Sequence, residues 1–355
     1  MSNKEFLIID GALGEGGGSI LRLSSGFSIL YNRSIKIRNI RANRPEPGLK
    51  LQHLLGLKTL SEVTGSFLSD CKVGTEELSF VPKYNVKTAV SLDVSTAANL
   101  GLLLQPIQIA SMNFKAEKVE IELNGGGTFG QYAPSLNYLK EVTYKIFNKS
   151  GLKIDVDIKK HGFYPKSFDS HVKCTIYPPK ENLKPVKLTE LGRIDLINGE
   201  IIITSQLKGQ GGNIGERIKR AIEQQLKKEV KIETDIQYKW VDAISPGVGL
   251  SLWAHSNTGA ILSTGTLLGE KGLSSEKLGT MAANELIKYI KNEIPVDNYL
   301  SDQLIPLMAF VNQPSKIKVL EITNHTKTNL EIVKMFTNRN YEITKEKNYF
   351  IIEYH

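Results

Sequence analysis

The fold is set by a strand, a glycine turn and a helix in direct succession, Phe6-Leu-Ile-Ile-Asp10-Gly-Ala-Leu-Gly-Glu-Gly-Gly-Gly-Ser-Ile-Leu-Arg22. Phe6–Asp10 is short and apolar, which predicts a buried strand. Five glycines lie in the eight residues from Gly11 to Gly18. They let the backbone turn tightly or approach a ligand closely. Ser19–Leu30 then places apolar residues at helical spacing.

The same alternation continues outward from this stretch in the order β-α-β-α-β-β. The first round is completed by Ile35–Arg41, a helix over Gly48–Val63, and strands at Ser66–Ser69 and Leu78–Val81. Two further rounds follow the same pattern, although the residues themselves do not repeat. The sequence therefore predicts an α/β (α+β) fold with three βαβαββ repeats forming a large domain.

The third round is interrupted after its first strand, near Pro185–Glu190. Roughly 90 to 110 extra residues lie there, far more than a loop inside a compact domain usually has. They carry their own strands and a helix over Ile214–Glu229. We therefore predict a large domain of residues 1–184 and 277–355, with a smaller inserted α/β domain over 185–276.

Composition narrows the class of protein. The chain has 355 residues, 41% of them hydrophobic, and 45 Lys and Arg against 37 Asp and Glu give a net charge of +8. This composition is that of a folded globular protein, and its basic balance favours a polyanionic partner. The two cysteines, Cys71 and Cys174, do not form a Cys-x-x-Cys pair. No apolar run approaches a membrane span, and no signal-peptide layout opens the chain, so a cytoplasmic location is expected.

Three segments carry the candidate chemistry, and each also has a simpler interpretation. The glycine turn contains Glu15, which is a candidate ligand for a metal ion beside a phosphate. The simpler interpretation is a plain flexible turn. The basic stretch Arg33–Lys50 includes Arg41 and Arg44, which suit bidentate phosphate binding or form a solvated edge. His325 lies between a predicted strand and a helix predicted over Thr328–Phe336. A helix start would stabilise a phosphate attached to that histidine, which is otherwise a surface loop residue.

Taken together, these segments resemble the RNA 3′-terminal phosphate cyclase family. The motifs that carry the resemblance occur in family order over nearly the whole chain. They are Asp10-Gly-Ala-Leu-Gly-Glu-Gly-Gly-Gly-Ser-Ile-Leu-Arg22, Ile40-Arg-Ala-Asn-Arg-Pro-Glu-Pro-Gly-Leu-Lys-Leu-Gln-His-Leu54, Asn124-Gly-Gly-Gly-Thr128, His161-Gly-Phe-Tyr-Pro165, Gly269-Glu-Lys-Gly272, Tyr299-Leu-Ser-Asp-Gln-Leu304, and His325 followed by Thr328-Asn329.

The resemblance implies an ATP-dependent enzyme that converts an RNA 3′-terminal phosphate to a 2′,3′-cyclic phosphodiester. The implied intermediates are a covalent histidine–AMP and an RNA activated by AMP at its 3′-phosphate. By the match, His325 is the nucleophile and Glu15 holds Mg²⁺ or Mn²⁺. The residues that would bind phosphates of ATP and of the RNA end are Arg22, Arg41, Arg44, Gln52 and His53. Those that would form the adenosine pocket are Gln105, Pro134, Tyr299, Asp302 and Gln303.

The chain departs from the family pattern at two places. Phe129 stands where the family commonly has Asp, with Ser135 after Ala133-Pro134 in place of a second proline. Lys166-Ser-Phe-Asp169 replaces a run of glycines. These changes bear on the adenosine side and on substrate preference.

Other functions remain compatible with parts of the sequence. A cyclase-like, non-catalytic RNA-binding protein of ribosomal RNA processing would share the fold and lack the nucleophilic histidine, which this chain has at His325. A simple RNA-binding module would need only the basic balance and would bind in a salt-sensitive way without using ATP. Enolpyruvyl transferases have similar repeats, but their residue motifs do not occur here.

Overall fold

The computed structural model describes residues 5–14, 16–130, 133–209 and 212–355. Within them, three four-stranded sheets share one arrangement: the first strand is parallel to the second, and the fourth is antiparallel to both the second and the third. The strands are β1 Leu7–Asp10, β2 Ile35–Arg38, β3 Phe67–Leu68 and β4 Leu78–Val81; then β5 Ala89–Asn99, β6 Val119–Gly127, β7 Lys153–Lys160 and β8 His171–Tyr177; and β9 Lys187–Leu188, β15 Ser315–Val319, β16 Tyr341–Lys345 and β17 Phe350–Tyr354.

A fourth sheet belongs to the segment between β9 and β15. Its strands are β10 Ile194–Thr204, β11 Glu233–Val241, β12 Val248–Ser256, β13 Ile261–Ser263 and β14 Leu267–Leu268. The strand order is β11-β10-β12-β13, with β14 also paired to β12. The mixed α/β class predicted from the sequence is therefore confirmed.

Helices cover these sheets. They are α1 Gly18–Leu30, α2 Leu51–Thr64, α3 Leu100–Ser111, α4 Leu136–Tyr138, α5 Tyr144–Ser150, α6 Ile214–Glu229, α7 Ser275–Lys291, α8 Asn298–Phe310 and α9 Asn324–Lys334. A π-helical turn, Leu139–Thr143, joins α4 to α5, where the spacing of apolar residues predicts one helix over Pro134–Phe147.

Helix α1 lies at the centre of the largest core, against both α3 and α9. Small residues make this possible. A Cβ on Gly26 would lie 2.9 Å from the Cβ of Ile109 and from the carbonyl oxygen of Pro106. The glycine therefore lets α1 and α3 approach closely, and this packing fixes the N-terminal end of α1, where the glycine turn ends.

The inserted segment has its own core. Buried apolar residues from Leu191 to Ile294 form a cluster separate from the main one. Helices α6 and α7 pack side by side in it, and a Cβ on Gly279 would lie 2.5 Å from the carbonyl oxygen of Ile218. The predicted bounds of the insert, 185–276, stay a prediction. At its two ends, β9 pairs with β15 of the third sheet, and α7 packs against α6 of the insert.

Candidate functional site

The glycine turn packs against the first turn of α9. Gly11 donates a backbone hydrogen bond to the carbonyl of Arg38 at 2.7 Å, which ties the turn to β2. Gly14 has φ +56°, and a Cβ there would lie 2.5 Å from Oγ1 of Thr328. Only glycine fits both the backbone angle and the space. Glu15, the predicted metal ligand, lies outside the described residues.

His325 is the second residue of α9, in its first turn. The helix begins at Asn324 because Thr323 caps it: its Oγ1 accepts a hydrogen bond from the backbone nitrogen of Thr326 at 3.0 Å. The helix start predicted at Thr328 is therefore wrong by four residues. The polar residues after Thr323 suggest a loop, but the threonine cap starts the helix before them. His325 is exposed and lines a cleft at the positive end of the helix dipole.

His53 forms the buried part of the cleft wall. Its side chain is 4% exposed, and its Nδ1 accepts a hydrogen bond from the backbone nitrogen of Lys50 at 3.2 Å. Burial above all, and then the charges of Arg22 and Arg41, lower the pKa of His53 to about 3. The ring is therefore neutral, with its proton on Nε2, and offers a hydrogen-bond donor rather than a charge.

The start of α1 is shaped around that ring. A Cβ on Gly18 would lie 2.1 Å from Nε2 of His53 and 3.0 Å from a terminal guanidinium nitrogen of Arg22. A Cβ on Gly17 would lie 3.4 Å from a terminal nitrogen of Arg44. The last two glycines of the turn thus make room for the polar side chains predicted to bind phosphate.

Arg41 and Arg44 come from one tight turn. Arg44 donates its backbone N–H to the carbonyl of Arg41 at 3.0 Å. Arg41 has φ +57°, a left-handed conformation that costs a non-glycine residue about 1 kcal/mol or more. Its guanidinium donates to the carbonyl of Glu46 at 3.1 Å, and burial and the charge of Arg44 lower its pKa. A bound anion would relieve this repulsion between two cations.

Arg22 connects the cleft to the residues behind it. Its Nε donates to Oε1 of Gln105 at 2.7 Å. Burial raises the pKa of Asp302 to about 7, an effect that the positive charge of Arg22 opposes. Nε2 of Gln303 donates to Oδ1 of Asp302 at 3.2 Å. Three of the five residues predicted for the adenosine pocket are therefore joined behind Arg22.

The segment Gly265–Thr266 lies close to Tyr299 and to the residue that follows Pro134. A Cβ on Gly265 would lie 2.2 Å from the Tyr299 ring. The residue after Pro134 is Ser135, whose backbone nitrogen donates to Oγ1 of Thr266 at 2.8 Å. One segment of the insert thus contacts both Tyr299 of α8 and the residue that follows Pro134.

The cleft has a volume of about 1070 Å³. It brings together the nucleophile candidate and all the residues predicted to bind phosphate: His325, Arg22, Arg41, Arg44, Gln52 and His53. Among the described residues of its lining, none belongs to the predicted adenosine pocket. Among the described lining residues, the cations Arg22, Arg41, Arg44 and Lys50 outnumber the single acid Glu270, so this part of the cleft favours anions.

Sequence reasoning missed several lining residues. Lys50 lies in the predicted basic stretch, and its charge was a usable signal, but no role was assigned to it. Tyr164 belongs to the quoted motif His161–Pro165 and lines the cleft, as does Asn99, the N-cap of α3. An asparagine just before an apolar helical run is a recognisable cap, whereas the exposure of Tyr164 follows from the loop's tertiary contacts.

The departure at Phe129 has a packing role. Its ring stacks on Phe163 with centroids 5.1 Å apart and an angle of 12° between the planes. Both are buried, in a small apolar cluster with Ile202 and Ala243 of the insert. Cβ atoms on Gly249 and Gly247 would lie 2.4 Å from Phe129 and 2.3 Å from Phe163. The stacked pair therefore holds the insert against the loop after β6.

Two kinds of feature do not occur among the described residues. In the described part of the chain, no three His, Cys, Asp or Glu side chains form a group able to hold a metal ion. Within the same ranges, no helix is both long and apolar enough to cross a bilayer.

An α/β scaffold with a cationic cleft, a neutral buried histidine and an exposed histidine at a helix N-terminus is typical of proteins that bind phosphate groups. Comparison with known proteins narrows this class. The family model for RNA 3′-terminal phosphate cyclase matches residues 13–343. The chain is 34% identical over 342 residues to the RNA 3′-terminal phosphate cyclase of Thermococcus kodakarensis, covering 96% of each. It is 35% identical over 347 residues to that of Methanosarcina barkeri, covering 97% of this chain and 98% of the relative. The chain belongs to the RNA 3′-terminal phosphate cyclase family.

Proposed function

We propose that this protein is an ATP-dependent enzyme that closes an RNA 3′-phosphate onto the neighbouring 2′-hydroxyl. The observation that carries the proposal is the position of His325, which lies in the first turn of α9 and lines the same cleft as Arg22, Arg41 and Arg44. A nucleophile and phosphate-binding cations are thus assembled from distant parts of the chain.

In the proposed first step, a ring nitrogen of His325 attacks the α-phosphorus of ATP. A P–N bond forms, the bond from the α-phosphorus to the bridging oxygen breaks, and pyrophosphate leaves. The helix N-terminus stabilises the phosphate of the attached AMP. Covalent catalysis of this kind divides one difficult substitution into easier ones.

In the second step, an oxygen of the RNA 3′-phosphate attacks the phosphorus of the bound AMP, and the P–N bond breaks. His325 is regenerated, and the RNA end becomes a mixed anhydride with AMP. In the third step, the 2′-hydroxyl oxygen attacks the 3′-phosphorus, its proton is lost, and AMP leaves. A phosphate monoester lacks a good leaving group until this activation, which explains the need for ATP.

The other residues position the phosphates and the base. Arg41 and Arg44 bind phosphate oxygens by paired hydrogen bonds, and the neutral His53 donates one without adding charge. Gln105, Pro134, Tyr299, Asp302 and Gln303 form the adenosine pocket, which the hydrogen bond from Arg22 to Gln105 connects to the cleft. Mg²⁺ or Mn²⁺ would be held by Glu15 and the ATP phosphates and would neutralise phosphate charge, since such ions need few protein ligands beside a nucleotide.

The test is turnover of a 3′-phosphorylated RNA oligonucleotide with ATP and magnesium. We expect a product whose terminal phosphate resists phosphatase, together with AMP and pyrophosphate. His255, exposed on β12 outside the cleft, offers a matched control: His255→Ala should turn over normally and His325→Ala should not. RNA that binds but is never cyclised would instead favour the non-catalytic RNA-binding function.

A further inference from the structure

The loop from His161 to Ser170 is held rigidly at both ends. Oγ1 of Thr128 lies 3.0 Å from Nδ1 of His161 and accepts from the backbone nitrogen of Gly162 at 3.2 Å. At the other end, Ser170 donates its hydroxyl to the carbonyl of Gly126 at 2.7 Å. The loop is therefore tied to the end of β6 at two places.

The middle of the loop is tied to the insert. The backbone nitrogen of Lys166 donates to Oγ of Ser245 at 2.9 Å, and the same hydroxyl donates to the carbonyl of Lys166 at 2.9 Å. Phe163 is buried in the stack with Phe129. This loop thus joins the two parts of the chain along one wall of the cleft.

Two large side chains of this loop escape the packing, and of these Tyr164 is in the cleft lining whereas Phe168 is not. Tyr164 is 76% exposed, although Phe163 beside it is 4% exposed and Ser167 is fully buried. Tyr164 lines the cleft that also contains Arg41 and Arg44, and Leu51, 41% exposed, lines it too. A rigid backbone that presents an aromatic ring to an open cationic cleft loses little entropy on binding a flat partner.

The cleft is also large for a single small ligand. Its volume of about 1070 Å³ is at the upper end of what a single drug-sized ligand needs. Single-stranded nucleic acids are bound by cations that track the backbone and by aromatic rings on which bases stack. Both elements occur in this cleft.

We propose that Tyr164 is a stacking platform for a nucleobase at the 3′ end of the RNA, whose terminal phosphate lies on Arg41 and Arg44. This inference rests on the proposed function and adds a subsite for the RNA itself. The platform is sequence-tolerant, because every base offers a π-face. It orients the RNA end and takes no part in the chemical steps.

The experiment compares Tyr164→Ala, Tyr164→Phe and Phe168→Ala with wild type. Phe168 is the matched control, since it is 53% exposed on the same loop but is outside the cleft lining. We expect Tyr164→Ala to raise KM for a 3′-phosphorylated RNA about 10-fold, the effect of losing one base stack, with kcat unchanged. Tyr164→Phe and Phe168→Ala should stay close to wild type.

Two further measurements make the test specific. An abasic substitution at the terminal or the penultimate nucleotide of the RNA should raise the KM of wild type by the same factor as Tyr164→Ala does. It should leave the KM of Tyr164→Ala unchanged. The rate of AMP attachment without RNA, measured at varied ATP, should be the same in all variants. The proposal would be overturned if Tyr164→Ala had the same KM for RNA as wild type. It would also be overturned if abasic substitutions raised the KM of wild type and of Tyr164→Ala equally, or if Tyr164→Ala changed the dependence of AMP attachment on ATP.

Failure of the proposed function would be seen separately, as a wild type that never attaches AMP. In that case, the affinity of the same oligonucleotide, measured by fluorescence anisotropy, still decides the role of Tyr164. We expect about 10-fold weaker binding for Tyr164→Ala. Equal affinity for wild type and variant would contradict the platform.

Discussion

At the scale of single residues, the glycine turn is defined by what its missing side chains leave room for. The contact of Gly18 with His53 and that of Gly14 with Thr328 join segments far apart in sequence. The sequence predicts that these glycines allow close approach to something. It does not predict what approaches, because periodicity carries no information on contacts between distant segments.

Gly18→Ala should abolish AMP attachment, because the new methyl group would lie 2.1 Å from Nε2 of His53. The control is Gly56→Ala in α2, where an added Cβ meets nothing within 4 Å. That variant should keep its activity and gain about 0.5–1 kcal/mol in unfolding free energy from the better helix former. Activity is measured by labelling with ATP, and stability by urea titration. Equal activity in the two variants would show that the contact is not critical.

The neutral His53 has a consequence for pH dependence. Its pKa is about 3 in the folded protein and near 6.5 when unfolded. Between these values the unfolded chain binds the extra proton, so His53 costs stability as the pH falls. The unfolding free energy of His53→Gln relative to wild type should rise by about 1 kcal/mol per pH unit from pH 6.5 towards pH 4. Parallel pH profiles would mean that His53 is not held neutral.

At the scale of elements, the sequence predicted best where one chain segment decides its own structure. The amphipathic helix Ile214–Glu229 and the strand Leu78–Val81 have the predicted bounds. The helix Ser275–Lys291 was not predicted, although Ser274 caps it and apolar residues recur at helical spacing. The predicted strand Ile35–Arg41 ends at Arg38, because Asn39 and Arg41 turn with positive φ.

The stacked pair of Phe129 and Phe163 is the test at this scale. Phe129→Asp places a carboxylate in an apolar cluster against Gly249. It should lower the unfolding free energy by about 3–5 kcal/mol, whereas Phe129→Leu, which stays apolar, should cost less. Urea unfolding of the two variants measures the loss of stability. Limited proteolysis then measures cleavage between the insert and the large domain. An Asp variant as stable as wild type would contradict the packing role.

At the scale of the whole molecule, the site is assembled from all parts of the chain. One cleft is lined by segments from the whole length of the chain: the glycine turn, the Arg41–Arg44 turn, the loop of Tyr164, the insert residues Pro246–Val248, and His325. The residues that the sequence predicts to bind phosphate, through motifs that resemble a family, meet there. The sequence does not predict that the residues expected in the adenosine pocket lie outside this lining, because periodicity does not show how distant helices pack.

The charge of the cleft predicts salt-dependent RNA binding. Each phosphate neutralised contributes about 0.7 to the slope of log affinity against log salt for a single strand. Replacing both Arg41 and Arg44 by Ala should therefore reduce the slope by about 1.4. The control replaces Arg193 and Arg220 by Ala, which are exposed on the insert outside the cleft. Equal slopes in the two double variants would show that the cleft arginines do not contact RNA phosphates.

The most direct test of the proposed function is intact mass after incubation with ATP and magnesium, without RNA. Wild type, His255→Ala and His325→Ala are measured in parallel. We predict the added mass of one AMP on wild type and on His255→Ala, and none on His325→Ala, because the first turn of α9 carries the nucleophile. AMP attached to His325→Ala, or no AMP attached to wild type, would contradict this account.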